Sequence, residues 1–248
     1  MHPIKAIIIA IVAACTSAQA TLYDYSFNGI NTLIPDGDPN GYANSQTVPN
    51  LGGNETSQIV DVNVQVNITG GYNGDLYGYL VHDSGFAILL NRVGKTANND
   101  IGYANTGFNV TFDDQAATDI HLYQATSYSL NGNGALLGSW KPDGRNVDPD
   151  DVLDTSPRTA LLSSFNGLNA SGAWTLFLAD DSFGDQSTLV SWDLQISVVP
   201  EPIAWALIIF GSVAATIAIA VKQIRRREQL AAKLEFNTPR LSSHPTAH

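Results

Sequence analysis

The chain has 248 residues, 44% of them hydrophobic, which is enough for one sizeable core with accessory segments at the ends. Between Thr21 and Val199 it carries 19 Asp and one Glu against three Arg and two Lys, a formal charge of −15. This charge argues against nucleic acid as a partner, because phosphate binding requires clustered Lys and Arg. The preference for Asp over Glu is typical of a loop-rich β protein, since Asp favours turns and supplies oxygen ligands.

The first 20 residues are predicted to be a secretory signal peptide. A short basic start is followed by an apolar run, Ala6 to Ala14, and by the small-residue exit Ala18-Gln19-Ala20. Cleavage after Ala20 removes Cys15, the only cysteine, so the exported region would contain no disulfide. In an alternative interpretation, Val12 to Cys15 is a lipobox and the acylated cysteine becomes the mature N-terminus.

Alternating hydrophobicity predicts that residues 21–199 form an all-β domain. Val60, Val62, Val64, Val66 and Ile68 alternate with polar residues, which predicts a strand with one buried face. Other predicted strands are Leu76 to Val81, Phe86 to Leu90, Phe108 to Phe112, Ile120 to Tyr123, Leu136 to Trp140, Ala173 to Ala179 and Leu189 to Val198. Because no segment of this region shows a helical stripe, we expect an antiparallel β-sandwich with Trp174 and Trp192 in its core.

The longest irregular stretch of this region runs from Lys141 to Pro157 and contains five Asp and three Pro. Few of its residues are apolar, so it is expected to be a long surface excursion rather than a domain boundary.

Two clusters of oxygen-bearing side chains are candidate calcium sites. Asp36-Gly37-Asp38-Pro39-Asn40-Gly41 reproduces the first half of an EF-hand-like loop, although the twelfth position is Thr47 rather than Glu. The second cluster comprises Asp180, Asp181 and Asp185. The predicted metal ligands are therefore Asp36, Asp38, Asn40, Asp180, Asp181 and Asp185. The alternative is that these residues only form solvated turns.

No catalytic constellation is recognisable between residues 21 and 199. His82 and His121 are the only histidines there, and Gly-x-Ser-x-Gly, Gly-Thr-Ser and His-Glu-x-x-His segments are absent from this sequence. The adjacent acids Asp113 and Asp114 would point to opposite faces of a strand end, which does not suit a glycosidase pair. The protein is therefore predicted not to be an enzyme.

Eight short motifs occur in a recognisable order: Ile34-Pro35-Asp36, Ile59 to Val64, Ile68 to Leu76, Leu89 to Gly94, Phe112-Asp113-Asp114, Phe165-Asn166-Gly167, Gly172 to Leu176 and Leu189 to Leu194. In this order they resemble the P domain (P/Homo B domain), the jelly-roll module that follows the catalytic domain of subtilisin-like proprotein convertases. The resemblance covers about residues 34–197. It implies a jelly-roll β-sandwich without catalytic residues of its own, and calcium in its loops.

The C-terminal region combines three features in order. Pro200-Glu201-Pro202 precedes 19 uncharged residues, 203–221, and the basic cluster Arg225-Arg226-Arg227 follows. Nineteen helical residues extend about 29 Å, enough to cross the hydrocarbon core of a membrane with the basic end in the cytoplasm. This arrangement resembles the PEP-CTERM signal that exosortases of Gram-negative bacteria process. The resemblance implies a sorting signal over residues 200–227 and a polar tail over 228–248. The alternative is a plain single-pass anchor.

These observations predict an exported protein. It would pass through the Sec translocon and an inner-membrane intermediate, meet an exosortase, and reach the cell surface or the extracellular polysaccharide matrix. Its expected role is structural or adhesive, with exopolysaccharide as a partner. The alternative role is that of an accessory domain that binds or stabilises a separate secreted subtilisin-like serine protease.

The sorting hypothesis predicts the mass of the mature protein. In a host with an exosortase, the mature form should lack residues 203–248, because proline removes backbone donors and keeps the segment open to an enzyme. Glu201→Ala should then leave a full-length, membrane-retained form. Intact-mass measurement of surface and supernatant fractions tests this, and a wild-type mature protein that keeps its C-terminal peptide would contradict it.

Overall fold

The computed structural model describes residues 19–51, 57–200 and 202–236. The predicted signal peptide and Cys15 therefore lie almost wholly outside the described residues. The chain divides into two compact units, the first ending at Pro200 and the second beginning at Glu201.

The first unit consists mainly of β-strands. In chain order they are β1 (Thr21–Phe27), β2 (Thr32–Leu33), β3 (Asp38–Val48), β4 (Ser57–Gly70), β5 (Leu76–His82), β6 (Gly85–Asn91), β7 (Gly107–Phe112), β8 (Ser129–Leu130), β9 (Leu136–Trp140), β10 (Gly172–Asp180) and β11 (Ser187–Pro200). Three short 3₁₀ helices, Asn73–Asp75, Ile120–Ala125 and Leu162–Phe165, interrupt them within the described residues.

The described strands form two sheets. The larger has the order β1-β11-β4-β7-β9-β8, with β2 also pairing with β11, and the smaller has the order β3-β10-β5-β6. The pairs are antiparallel except for β7 and β9, which run parallel from the Phe108–Leu136 pair to the Phe112–Trp140 pair.

One apolar core lies between the two sheets. Trp192 of the larger sheet and Trp174 of the smaller are both fully buried in it, as the sequence predicts. The Trp192 Nε1–H donates to Asn44 Oδ1 of the smaller sheet at 2.9 Å, so the polar atom of this large side chain is satisfied across the core. A mostly β, two-sheet sandwich is therefore confirmed.

The predicted strand over residues 60–68 is confirmed within β4, but Val60 is not buried as expected. Its exposed fraction is 41%, whereas Ile59 is buried. The register of β4 against β11 shifts at this point, because Asp61 pairs with Ser197 and Ile59 pairs with Val198. Val60 is thus the extra residue of a β-bulge, which reverses the inward and outward alternation on its N-terminal side.

The predicted strand from Ile120 to Tyr123 is wrong, since these residues begin a 3₁₀ helix. Asp119 precedes them and accepts a hydrogen bond from the His121 N–H at 2.9 Å, which caps the turn. Three of the four residues, Ile120, His121 and Tyr123, are buried even though they form a short helix and not a strand. The other predicted strands are confirmed within β5, β6, β7, β9, β10 and β11.

The long excursion after Lys141 is held down by buried charged groups. Arg145 Nη1 lies 2.8 Å from Asp119 Oδ2 and 3.2 Å from Asp143 Oδ1. Asp143 is fully buried and its other oxygen lies 2.7 Å from Nδ1 of the buried His121. The excursion therefore has a fixed course over the sandwich despite its lack of regular structure.

The second unit contains one helix, α1 (Pro202–Phe236). It includes the stretch predicted as a membrane span, the basic cluster, and the first nine residues of the predicted polar tail. Among the described residues, however, no helix is both long enough and apolar enough to cross a membrane.

Gly71 tests how tightly the end of the sandwich is packed. A Cβ on Gly71, where φ is +73°, would lie 1.7 Å from the Ser187 Oγ, whereas a Cβ on Gly29, also at φ +73°, meets no atom within 4 Å. Gly29→Ala should lower the free energy of unfolding by about 1–2 kcal/mol, the cost of the backbone conformation alone. Gly71→Ala should lower it by about 1–3 kcal/mol more. Urea denaturation measures both, and equal losses would contradict the close packing.

Candidate functional site

Three aspartates from separate parts of the chain meet at one end of the sandwich. Asp36 lies in the turn between β2 and β3, Asp75 ends the 3₁₀ helix before β5, and Asp180 is the last residue of β10. We call Asp36, Asp75 and Asp180 the acidic end cluster. The charges of Asp75 and Asp36 raise the pKa of Asp180, and the charge of Asp36 also raises the pKa of Asp75, which shows that these carboxylates interact.

Asp180 is the innermost member of the cluster. It follows Trp174, Leu176 and Leu178 on the inward face of β10, and its exposed fraction is 0%. Neither of its carboxylate oxygens makes a hydrogen bond of good geometry with the described residues, although the Ser182 N–H is close enough to act on its charge. Burial, and then the neighbouring carboxylates, raise its pKa to about 7, while the nearby Ser182 N–H opposes the rise.

Asp75 is nearly buried, and its negative charge is partly compensated by neighbouring groups. Burial raises its pKa, and the charges of Asp185 and Asp36 add to the rise. A hydrogen bond with the Ser182 side chain and the Arg92 guanidinium oppose it. Arg92 Nη2 lies 3.7 Å from Asp75 Oδ1, too far for a direct hydrogen bond, so the charge is only partly neutralised.

Asp36 ties the cluster to the loop between β10 and β11. Both of its carboxylate oxygens accept from the Gly184 N–H, at 2.9 and 3.1 Å. In the same loop the ring of Phe183 lies over Gly37, where a Cβ would meet it at 2.5 Å. The two sequence segments predicted as separate calcium clusters are therefore neighbours in the fold.

The other predicted ligands occupy different positions. Asp38 and Asn40 lie at the start of strand β3, and the side chain of Asp38 accepts from the Asn40 N–H and Nδ2–H at 2.9 and 2.8 Å. Asp181 directly follows the last residue of β10 and lines a cavity together with Tyr77, and Asp185 lies exposed in the adjoining loop.

Asp75 is the member of the cluster that the sequence did not reveal as a candidate. The sequence of its turn, Gly70 to Asp75, indicates only a change of chain direction and no ligand. Asp75 lies near Asp180 because β5 pairs with β10, which places Leu76 opposite Asp180. In the part of the chain that the structure describes, no three His, Cys, Asp or Glu side chains are already arranged to hold a metal ion.

The predicted sorting signal is only partly described. Pro200 ends β11 and Pro202 begins α1, while Glu201 lies outside the described residues. Arg225, Arg226 and Arg227 are exposed on α1.

No protein-family model and no curated protein sequence matches this chain. Solved structures that resemble it include the serine protease of Aeromonas sobria in complex with its chaperone (ORF2), with a TM-score of 0.39 and 14% identity over 74% of this chain. The same protease solved alone gives a TM-score of 0.38 and 14% identity over 72% of this chain. The chain spans only 27% of the length of either match. Similarity at this level carries no argument about function.

The buried Asp180 should make stability depend on pH when divalent cations are absent. Because its pKa is about 7 in the folded protein against an ordinary value of 3.8, its contribution is fully present below about pH 4 and is lost as the pH rises through 7. Asp180→Asn, which cannot ionise, should match the wild type near pH 4 and be more stable near pH 8. The gap has an upper limit of roughly 4 kcal/mol.

Thermal unfolding in a chelating buffer across this range measures the effect. Asp24→Asn removes an exposed carboxylate on β1 and should show no such gap. If the wild type and Asp180→Asn had parallel pH profiles, Asp180 would not be the buried ionising group described above.

Proposed function

We propose that this chain is an exported, non-catalytic β-sandwich module whose structure is completed by calcium at the acidic end cluster. The observation that carries the proposal is Asp180, a fully buried aspartate beside two other carboxylates, neither of whose oxygens makes a hydrogen bond of good geometry. A buried carboxylate without a partner is costly, and proteins resolve this cost by protonation, by pairing or by binding a cation.

Calcium suits the chemistry of this cluster better than a transition metal does. Its members offer only oxygen atoms, and calcium takes six to eight oxygen ligands from carboxylates and main-chain carbonyls in a flexible geometry. Since no ready-made group of three ligands exists among the described residues, the carboxylates would rotate towards the ion as it enters. Binding would thereby fix the turn before β3 and the loop after β10 to each other.

The environments of both histidines support a role without catalysis. His82 stacks on Trp174 with ring centroids 4.0 Å apart, and its two nitrogens lie 2.9 and 2.6 Å from the carbonyl oxygens of Ala173 and Asn169. His121 is fully buried between Asp143 and the carbonyl oxygen of Lys95. Neither ring has a nitrogen directed at solvent, where a general base would need one.

The module would be located at the cell surface or in the polysaccharide matrix. The predicted signal peptide and the Pro-Glu-Pro motif of the sequence support this location. There it would serve as a structural or adhesive unit, binding other macromolecules rather than transforming them. The exposed loop that carries Phe183, whose exposed fraction is 89%, lies beside the acidic end cluster, so cation binding would also stabilise this part of the surface.

Calcium titration of thermal unfolding tests the proposal. At a calcium concentration about 100 times the dissociation constant, the melting temperature at about pH 7.5 should rise by roughly 5–10 °C, because the ion binds only the folded state. Asp180→Asn should remove most of the rise, and Asp24→Asn should keep it. Magnesium should act more weakly, because it demands a stricter octahedral geometry.

An unchanged melting temperature in millimolar calcium would overturn the proposal. A rise that survives in Asp180→Asn would move the cation to another site.

A further inference from the structure

A cavity of about 390 Å³ lies on the outer side of the smaller sheet, next to the end of β10. We call it the Tyr77 pocket, and its lining residues are Pro39, Tyr77, Asp148, Pro149, Asp150 and Asp181. It shares no carboxylate with the acidic end cluster, because none of Asp36, Asp75 and Asp180 is among its lining residues.

Strand pairing places two walls of the Tyr77 pocket. Tyr77 pairs with Ala179 across β5 and β10. Asp181 directly follows the last residue of β10, and its N–H donates to the carbonyl oxygen of Asp75 at 3.0 Å. The Tyr77 ring is held by edge contacts with Tyr79 and Phe177, at centroid distances of 5.8 and 6.4 Å. The sheet and the hydrogen bond of Asp181 therefore fix these two walls in place.

The third wall comes from the long excursion, and it is anchored by buried groups. Lys95, whose exposed fraction is 8%, directs its Nζ to the carbonyl oxygens of Pro149 and Asp150. The buried Asn91 donates to the carbonyl oxygen of Val147 at 3.1 Å. The excursion thus brings Asp148 and Asp150 to the pocket on a backbone that the sandwich fixes in place.

The electrostatics of the pocket are negative and only partly compensated. Burial raises the pKa of Asp181, and the charges of Asp150 and Asp148 raise it further against the opposing Arg92. The Asp181 Oδ2 atom is buried and lacks a hydrogen-bond partner among the described residues. Burial, followed by Tyr79 and the carboxylates of Asp181 and Asp148, raises the pKa of Tyr77 to about 12.

The nearest cationic side chains do not neutralise the negative charge of the pocket. The Lys95 ammonium is engaged with main-chain carbonyls, and Arg92 Nη1 lies 3.5 Å from Asp150, whose side chain is 87% exposed. The pocket carboxylates do not converge tightly enough to form a metal site within the described residues. A larger cation with donors spread over several atoms matches this arrangement better than a point charge.

We propose that the Tyr77 pocket binds the guanidinium group of an arginine side chain presented by a partner polypeptide. The planar guanidinium has five donors for separated carboxylates and stacks on aromatic faces. Asp181 and Asp148 receive its N–H groups, the Tyr77 ring packs against its plane, and Pro39 and Pro149 cover its aliphatic stem. Charge complementarity also favours this partner, because the exported region carries a formal charge of −15.

This inference goes beyond the proposed calcium site and does not depend on it. The two can fail separately, because Tyr77→Leu and Asp148→Asn alter the pocket at constant calcium concentration without changing a member of the acidic end cluster.

The test is binding of a labelled hexa-arginine peptide to the purified protein, followed by fluorescence anisotropy at constant calcium and physiological salt. Asp181→Asn and Tyr77→Leu should each weaken binding about tenfold, the loss expected for a charged hydrogen bond or a stacked guanidinium. Asp24→Asn and Asp193→Asn are the controls, because each removes one carboxylate from the larger sheet and none from the pocket. Both should leave the affinity for hexa-arginine within about twofold of the wild type. A hexa-lysine peptide should bind more weakly than hexa-arginine.

Asp148→Asn lies on the surface excursion and keeps the inference testable if Asp181→Asn lowers stability. Equal weakening by the pocket and control variants would show binding to the overall charge and overturn the inference. Preferential binding of an oligomeric amino sugar over hexa-arginine, lost in Tyr77→Leu, would assign the pocket to a polysaccharide and also overturn it.

Discussion

The alternation of side chains along β10 is the constraint on which both sites depend. Successive residues of a strand point to opposite faces, so Trp174, Leu176 and Leu178 enter the core and the next inward position is Asp180. The following residue, Asp181, lies just beyond the end of the strand and lines the Tyr77 pocket on the outer side of the smaller sheet. Two adjacent aspartates therefore serve two environments, one inside the sandwich and one outside it. A shift of β10 by one residue would exchange them and would also expel Trp174 from the core.

The sequence predicts the strands well where its pattern is local. The alternation of β4 and the apolar run of β10 are visible in single segments, and both strands form as expected. Sequence reasoning fails where a tertiary contact decides the outcome. Val60 faces solvent because of a bulge opposite β11, and Ile120 to Tyr123 form a capped 3₁₀ helix.

The candidate site shows the same limit. Asp36 and Asp180 can be picked out as members of aspartate clusters, but nothing in the sequence shows that the two clusters meet, since the Asp36–Gly184 contact joins positions 148 residues apart. Asp75 belongs to a turn whose glycines indicate a sharp change of chain direction but no binding site. The calcium site, the sorting signal and the resemblance to P domains remain predictions, and the membrane span is not found among the described residues.

The long excursion shows how an irregular segment can be as well fixed as a strand. Its Asp143 and Arg145 are buried, and each has partners from the sandwich or from the segment itself. Such a network leaves few unpaired charges in the interior, which is the condition for burying charges at all. Because the network fixes the backbone on either side of Asp148 and Asp150, the shape of the Tyr77 pocket depends on groups that do not line it.

The position of β11 has a consequence for the order in which the chain can fold. This last strand of the sandwich lies between β1, the first strand, and β4 in the larger sheet. The Thr21–Val198 pair closes a loop of nearly the whole domain, and contacts of such long range make folding slow. Until β11 has been synthesised, β1 lacks its partner strand and β4 can pair only with β7. The larger sheet can therefore be completed only after nearly the whole domain has been synthesised, so its assembly is the last step that the chain order allows.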